Sequence, residues 1–398
     1  MKWKRQRFVF DFNMVHNKET RLLAAAVSDA LRKPGDTPFL LHRDTHLEQG
    51  TQCAHSAPYV AITYEEVADA SAEVAAGLRS LGVPRSSCVG IASENRVEWL
   101  EADFACAFGD FMNVGLHLGW PPQKLAAIIE SAECSVIICS IDGAASVAEA
   151  LQLLRARPIK FDEPFIVLLP RVLETDSVVQ NVGALLPSAQ QWSEIRQLGQ
   201  RPDASTYTGF GFKDDVASAG LELAMREIDS DVDGNKPFTL MYSSGSSGGP
   251  PKATVNTKAD WLKSNCSAGA FANFDTVEDR RGISYLSLCH GADRGICWQG
   301  AFGGGTIGFA RGESDLDGCL QDLAELRPTF FLGFAPFWTL LYQRHLAELL
   351  PAVDRELDLL LSKEFESLPP EEFKRFATQH PHEWQDLRDI FLLTRQGA

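Results

Sequence analysis

No run in this 398-residue sequence approaches the roughly 18 uninterrupted apolar residues of a membrane-crossing helix. The richest stretch, residues 330–342, carries Pro336 mid-run and reads as a buried strand and turn. Paired cysteines are also lacking. The nine cysteines (Cys53, Cys88, Cys106, Cys134, Cys139, Cys266, Cys289, Cys297 and Cys319) are scattered, odd in number and without any CxxC spacing. That argues against a disulfide scaffold or a zinc site and for a reducing compartment. Positive charge is short as well: 37 Lys and Arg stand against 53 Asp and Glu, a formal net charge of −16. Nucleic acid is a poor partner for such a chain, because phosphate-backbone contacts need clustered Lys and Arg. A nucleotide is a different matter, since it needs only a local pocket of donors. The basic start, Met1 to Arg7, leads into residues 8–15, where Asp11 and Asn13 break the apolar stretch and spoil it as a signal peptide. A cytoplasmic location follows as the expectation.

What is present is patterned like a layered α/β protein. At 398 residues the chain exceeds what one hydrophobic core usually organises. Residues 1–37 read as a lead-in with one helix over 18–31, ended by Lys33-Pro34-Gly35. A first lobe spans 38–171. Its expected strands are 59–63, 88–92, an extended segment opening at Val114, and 134–139. Its expected helices are 64–81, 98–108 and 121–131. Val67, Ala70, Val74, Ala75, Leu78 and Leu81 share one face of the first, and Gly82 and Pro84 stop it. Strands alternating with such helices read as βαβ units around a mostly parallel sheet. Residues 172–236 read as a polar connection, with 190–205 and 229–236 running over a surface. A second lobe, 237–398, carries expected strands at 282–288, 305–309 and 328–334 and a helix at 316–326. Residues 343–393 read as largely helical, and His380-Pro381-His382-Glu383 as a solvated turn rather than a metal site.

One segment is out of character with an ordinary turn. The apolar run Phe238 to Tyr242 stops at Ser243-Ser244-Gly245-Ser246-Ser247-Gly248-Gly249, followed by Pro250-Pro251-Lys252-Ala253. Four hydroxyls and three glycines ahead of a lysine suit a loop that wraps a polyphosphate. Glycines let backbone N–H groups approach, hydroxyls donate, and the lysine adds charge. By composition alone a flexible linker is as good a reading. The flanks decide, because linkers seldom sit between an apolar strand and a further structured segment. A Walker A loop is excluded, since Pro251 rather than Gly precedes Lys252 and Ala253 follows it.

Tyr242 to Lys252 resembles the phosphate signature of the AMP-forming (adenylate-forming) enzymes, usually Tyr-Thr-Ser-Gly-Thr-Thr-Gly-x-Pro-Lys-Gly. Here serines replace threonines, one extra residue gives Pro-Pro, and Ala253 replaces the closing glycine. The likeness extends to Thr63-Tyr64-Glu65-Glu66-Val67, Leu81-Gly82-Val83, the segment 89–95, Glu98-Trp99, the segment 285–294, and further to Ala335-Pro336. In wording it is similar to long-chain acyl-CoA synthetases and to the adenylation domain of carboxylic acid reductases.

The resemblance implies an incomplete large N-terminal domain of that fold, with two α/β lobes, mostly parallel sheets and flanking helices. It implies that Tyr242, Ser243, Ser244, Gly245, Ser246, Ser247, Gly248, Gly249 and Lys252 hold the nucleotide phosphates. It places His290 beside the acyl carboxylate. It implies ATP, magnesium and CoA, with a fatty acid as substrate and peripheral association with an intracellular membrane. Cys289 reads as a small buried hydrophobe, Asp293 and Arg294 as a structural pair in a turn, and Gly303-Gly304-Gly305 as a turn before a strand. The family's magnesium, ribose and C-terminal lysine segments do not occur, so the C-terminal domain is expected to be absent and metal ligands lie outside this chain. Two readings stay open. The chain is the N-terminal part of a long-chain acid–CoA ligase, or an inactive relative that binds nucleotide or acyl groups in a regulatory role. A sheet edge left unpaired would favour self-association.

Overall fold

The structure, a computed structural model, describes residues 22–43, 57–158, 161–170, 182–200, 234–242, 251–266, 280–311, 315–335 and 337–344. They fall into two units, Met1–Leu332 and Gly333–Ala398. The first unit runs α1 (Leu22–Leu31), β1 (Pro38–Arg43), β2 (Tyr59–Thr63), α2 (Tyr64–Ser80), β3 (Cys88–Ala92), α3 (Val97–Gly109), β4 (Met112–Gly115), α4 (Pro122–Ser131), β5 (Cys134–Cys139), α5 (Ile141–Arg155) and β6 (Phe165–Leu168). It continues with β7 (Gln190–Gln191), α6 (Trp192–Gly199), β8 (Pro237–Tyr242), β9 (Ala253–Thr257), α7 (Lys258–Cys266), β10 (Arg281–Ser284), α8 (Gly291–Gly303), β11 (Thr306–Phe309) and α9 (Leu316–Leu326).

Local chemistry sets several of these boundaries. Thr63 opens α2 with a reciprocal capping box: the Glu66 amide donates to its hydroxyl at 3.1 Å, and its own amide donates to the Glu66 carboxylate at 2.8 Å. Gly82, at φ +84°, supplies the left-handed residue that ends the helix. Gly304 does the same for α8 at φ +69°, and the glycine triplet is the turn before a strand that its sequence suggests. Among the described residues, no helix is long and apolar enough to cross a membrane.

The strands form two sheets. Seven run in the order β7-β6-β5-β3-β4-β8-β9 and four in the order β10-β11-β1-β2. Pairing is parallel except at β8–β9 and β1–β2. The larger sheet is covered on both faces, which is why β3 is buried at every residue and β5 at all but Ser135. Alternate residues of β5 enter opposite cores. Val136 and Ile138 join the core shared with α2, α3, α8 and the smaller sheet, while Ile137 and Cys139 join the core under α4 and α5. Tyr64 links the layers, its buried hydroxyl lying 3.0 Å from the Gly300 carbonyl and 2.7 Å from that of Gly305.

Three sequence expectations need correction. Residues 190–199 are not a surface connection. Gln190–Gln191 joins the sheet edge, and α6 packs on α2 through fully buried Ile195 and nearly buried Trp192. This docking is close enough that a Cβ at Gly77 would lie 2.1 Å from the Ile195 carbonyl oxygen. The sheets also ignore the lobe boundaries drawn along the chain: β8 and β9 complete the sheet begun by β3, and β10 and β11 complete the one begun by β1. Alternation of element type does not specify which strands pair. Finally, residues 328–334 form no strand, although Thr329 and Phe330 amides both donate to the Arg281 carbonyl. In the second unit, Ala335 and residues 337–344 are helical, with the Trp338 indole donating to the Gly333 carbonyl at 2.9 Å. A short apolar run does not by its period distinguish a buried strand from a helix. The expected helices beyond residue 344, and the His380–Glu383 turn, lie outside the described residues.

Candidate functional site

Ligands of parallel α/β sheets sit beyond the carboxyl ends of the strands, where loops can diverge. Three such ends converge here: β4 at Gly115, β8 at Tyr242 and β10 at Ser284. β8 and β9 pair antiparallel with Tyr242 opposite Ala253, so the two strands form a hairpin closed at this pair. β9 and α7 follow Lys252 directly, so a structured segment flanks the loop on that side. Ser243, Ser244, Gly245, Ser246, Ser247, Gly248 and Gly249 lie outside the described residues. Lys252 is exposed at the hairpin base. Tyr242 donates its hydroxyl to Ser131 Oγ at 3.1 Å, which ties the strand end to the last turn of α4, and burial raises the phenol's pKa.

The loop from β10 to α8 is brought against this hairpin by small residues. A Cβ at Gly115 would lie 2.7 Å from Cys289 Cα, and one at Gly291 would lie 2.5 Å from Met241 Sδ. At Gly115 the contact is with backbone, so a glycine there lets β4 meet the loop at this spacing. Asn95, just beyond β3, holds the loop in shape. Its amide group donates to Ser284 Oγ at 3.0 Å and to the Leu286 carbonyl at 2.6 Å, and its carbonyl oxygen accepts the Leu288 amide at 2.9 Å. His290 follows, exposed, as the residue that caps α8. It is thus a loop residue leading into a helix.

His290 faces a residue that sequence reading did not single out. The His117 ring lies 5.7 Å from the His290 ring and 5.6 Å, stacked, from Trp120. The Gly119 amide donates to His117 Nδ1 at 3.0 Å. The Lys124 ammonium lies 4.0 Å over the Trp120 ring. Neither Asn95 nor His117 belongs to a motif that announces chemistry. Asn95 lay inside the segment 89–95 already noted for its wording, which was the one available signal.

Behind the loop, the partner of Arg294 is not its neighbour Asp293. Arg294 forms a bidentate bridge to Asp103 on α3, at 2.7 and 2.5 Å, and donates to Thr239 on β8 at 2.7 Å. Asp103 also accepts from Asn113 and Trp298 at 2.7 Å each. Asp293 accepts instead from Ser284. Both residues lie within α8, not in a turn. Burial raises the Asp103 carboxyl's pKa, and the Arg294 charge and hydrogen bonds act against that rise. This cluster fixes the start of α8, and hence His290, against β4 and β8. Cys289 carries no nucleophile signature, because burial pushes its thiol up to about 11.

Comparison with known proteins places this architecture. A family model described as "AMP-binding enzyme" matches residues 35–387. Long chain acyl-CoA synthetase 7, peroxisomal, of Arabidopsis thaliana is 26% identical over 284 residues, covering 71% of this chain and 35% of that protein. Fatty acyl-CoA synthetase A of Dictyostelium discoideum is 24% identical over 314 residues, covering 79% of this chain and 41% of that protein. The chain therefore spans well under half the length of these relatives. Among solved structures, the A domain of carboxylic acid reductase from Segniliparus rugosus, in complex with AMP and a co-purified carboxylic acid, superposes with a TM-score of 0.65. At 17% identity, over 85% of this chain and 52% of that one, the likeness shows the fold. With the family model spanning most of its length, this chain is a member of the AMP-binding enzyme family.

Proposed function

We propose that this chain supplies the phosphate-binding hairpin and the acyl-facing loop of an acid–thiol ligase that activates a long-chain fatty acid with ATP. The observation that carries the reading is the convergence of the Tyr242–Ala253 hairpin and the His290 loop at the carboxyl ends of β8 and β4. The loop from Ser243 to Gly249 would receive the outer phosphates, with Lys252 adding charge at its base. His290 would border the carboxylate. In the reaction, a carboxylate oxygen attacks the α-phosphorus, the bond to the β-phosphate breaks, and pyrophosphate leaves. The thiol of CoA then attacks the acyl carbon of the acyl-AMP and AMP leaves. The chain's own residues bind and orient at the first step, and stabilise charge that develops on the leaving phosphates.

Among the described residues, no group of three His, Cys, Asp or Glu side chains could hold a metal ion. Acid-dependent exchange of labelled pyrophosphate into ATP tests the reading. Exchange that requires a long-chain acid and is lost in Lys252→Ala supports it. Saturable binding of ATP and fatty acid without exchange would instead assign the chain a binding or regulatory role.

A further inference from the structure

The proposed acyl-facing loop presents one imidazole, but the structure puts two at the same place. We propose that His117 is a second ligand-contacting residue of this site, donating a hydrogen bond from Nε2–H to an anionic oxygen of the bound substrate beside His290. The inference rests on the functional reading above and extends it to a residue outside every motif.

Position is the first argument. His117 follows β4, whose neighbours in the sheet are β3 and β8, so it emerges beside the strand that feeds the phosphate hairpin. Gly115, two residues earlier, is in backbone contact with Cys289, one residue before His290. The two histidines are therefore carried by segments welded together at their bases, and their ring centroids are 5.7 Å apart, tilted by 57°. At that separation the two rings border the same space beside the loop.

Tautomer is the second argument. A neutral imidazole has one donor nitrogen and one acceptor. The Gly119 amide donates to Nδ1 at 3.0 Å, so Nδ1 is the acceptor and the proton resides on Nε2. The donor edge is thus fixed by backbone rather than left to rotate. Stacking on Trp120 at 5.6 Å holds the plane, and the Lys124 ammonium over that indole adds positive charge to the same wall. A tautomer-locked donor beside a second imidazole suits a carboxylate or phosphate oxygen and has no use for a cation.

The carboxylate of a fatty acid and a phosphate of ATP offer the same oxygen chemistry, and the test separates them. Long-range proton–nitrogen spectra of the imidazoles are recorded on the 398-residue chain during separate titrations with dodecanoate and with ATP. The expected result is a saturable shift of the His117 Nε2 resonance with one ligand, which identifies the source. In His117→Ala, the affinity for that same ligand should fall about tenfold, the worth of one hydrogen bond to a charged group. His117→Gln, which keeps a donor, should recover part of the loss, which a purely structural role would not allow. If His290 responds while His117 does not, and His117→Ala binds as the parent does, this inference falls and the functional reading stands. If neither ligand binds the parent chain, both fall.

Discussion

The guanidinium of Arg294 and the carboxylate of Asp103 meet in a two-pronged bridge at 2.7 and 2.5 Å, with both side chains almost fully buried. The pair joins α8 to α3, and through Thr239 and Asn113 it reaches β8 and β4, two of the three strands whose ends form the site. The rings of Trp99, Phe238 and Trp261 surround the cation at 4.5 to 5.6 Å. A buried pair contributes little net stability over a packed apolar substitute, yet removing one partner strands a charge. Asp103→Ala should therefore destabilise the chain by about 3–5 kcal/mol. Asp103→Ala combined with Arg294→Met should recover much of that. Urea unfolding followed by tryptophan fluorescence measures both, and additive losses would contradict the account.

Asn95 should behave as a positioning residue. Its three hydrogen bonds shape the loop before His290 without touching the proposed ligand position. Asn95→Ala is expected to cost about 1–3 kcal/mol, since it leaves the Leu288 amide unsatisfied. It should also speed hydrogen exchange at Leu288 more than at β3. Uniform acceleration across the sheet would mean a general role instead.

The contact of Gly115 with Cys289 involves backbone, so it cannot be relieved by a rotamer change. Gly115→Ala should destabilise by about 1–3 kcal/mol, in the range of overpacking. Cys289→Ala should not rescue it, because the nearest atom is Cα. Rescue in a thermal melt would show the clash to be with the thiol.

A pH dependence follows from Glu101 on α3, which is 6% exposed. Burial first, then the charge of Glu98, pushes its carboxyl up to about 8, with Arg196 and Arg96 opposing. In the unfolded chain the group titrates near 4.5. Between these values the folded state keeps a proton that the unfolded state has lost, so stability falls as pH rises through that window. Below it both states are protonated, and above it the loss is complete. Glu101→Gln should raise Tm at pH 8 and have little effect near pH 4.5. Equal gains at both pH values would contradict the assignment.

Legibility from sequence differed by feature, for physical reasons. β2, β3, β5 and α9 matched their expected bounds, because each is short, strongly patterned and bracketed by caps or breakers. The hairpin around Lys252 was marked by a composition that ordinary turns do not need. By contrast, α6 lay in a polar stretch where only Trp192 and Ile195 are buried, too few to set a period. The Arg294–Asp103 pair spans 191 positions, and nothing local favours it over the adjacent Asp293. His117 and Asn95 acquire meaning only from the strand order that places the ends of β3, β4 and β8 side by side.

Among the described residues, β9 pairs with β8 alone and is the last strand of its sheet, with Val255 half exposed. Such an edge can recruit a second strand. The chain is expected to self-associate with concentration in light scattering, and Val255→Lys to weaken that association. A parent chain that stays monomeric throughout would contradict this.

The proposed role of the hairpin closed by Tyr242 and Ala253 is to hold nucleotide phosphates, with Lys252 at its base. Equilibrium binding of ATP to the 398-residue chain tests it most directly. The account predicts weak, saturable binding that pyrophosphate displaces and that Lys252→Ala reduces by about tenfold, the worth of one charge-assisted contact. Failure of ATP to bind, or binding that neither pyrophosphate nor Lys252→Ala alters, would contradict it.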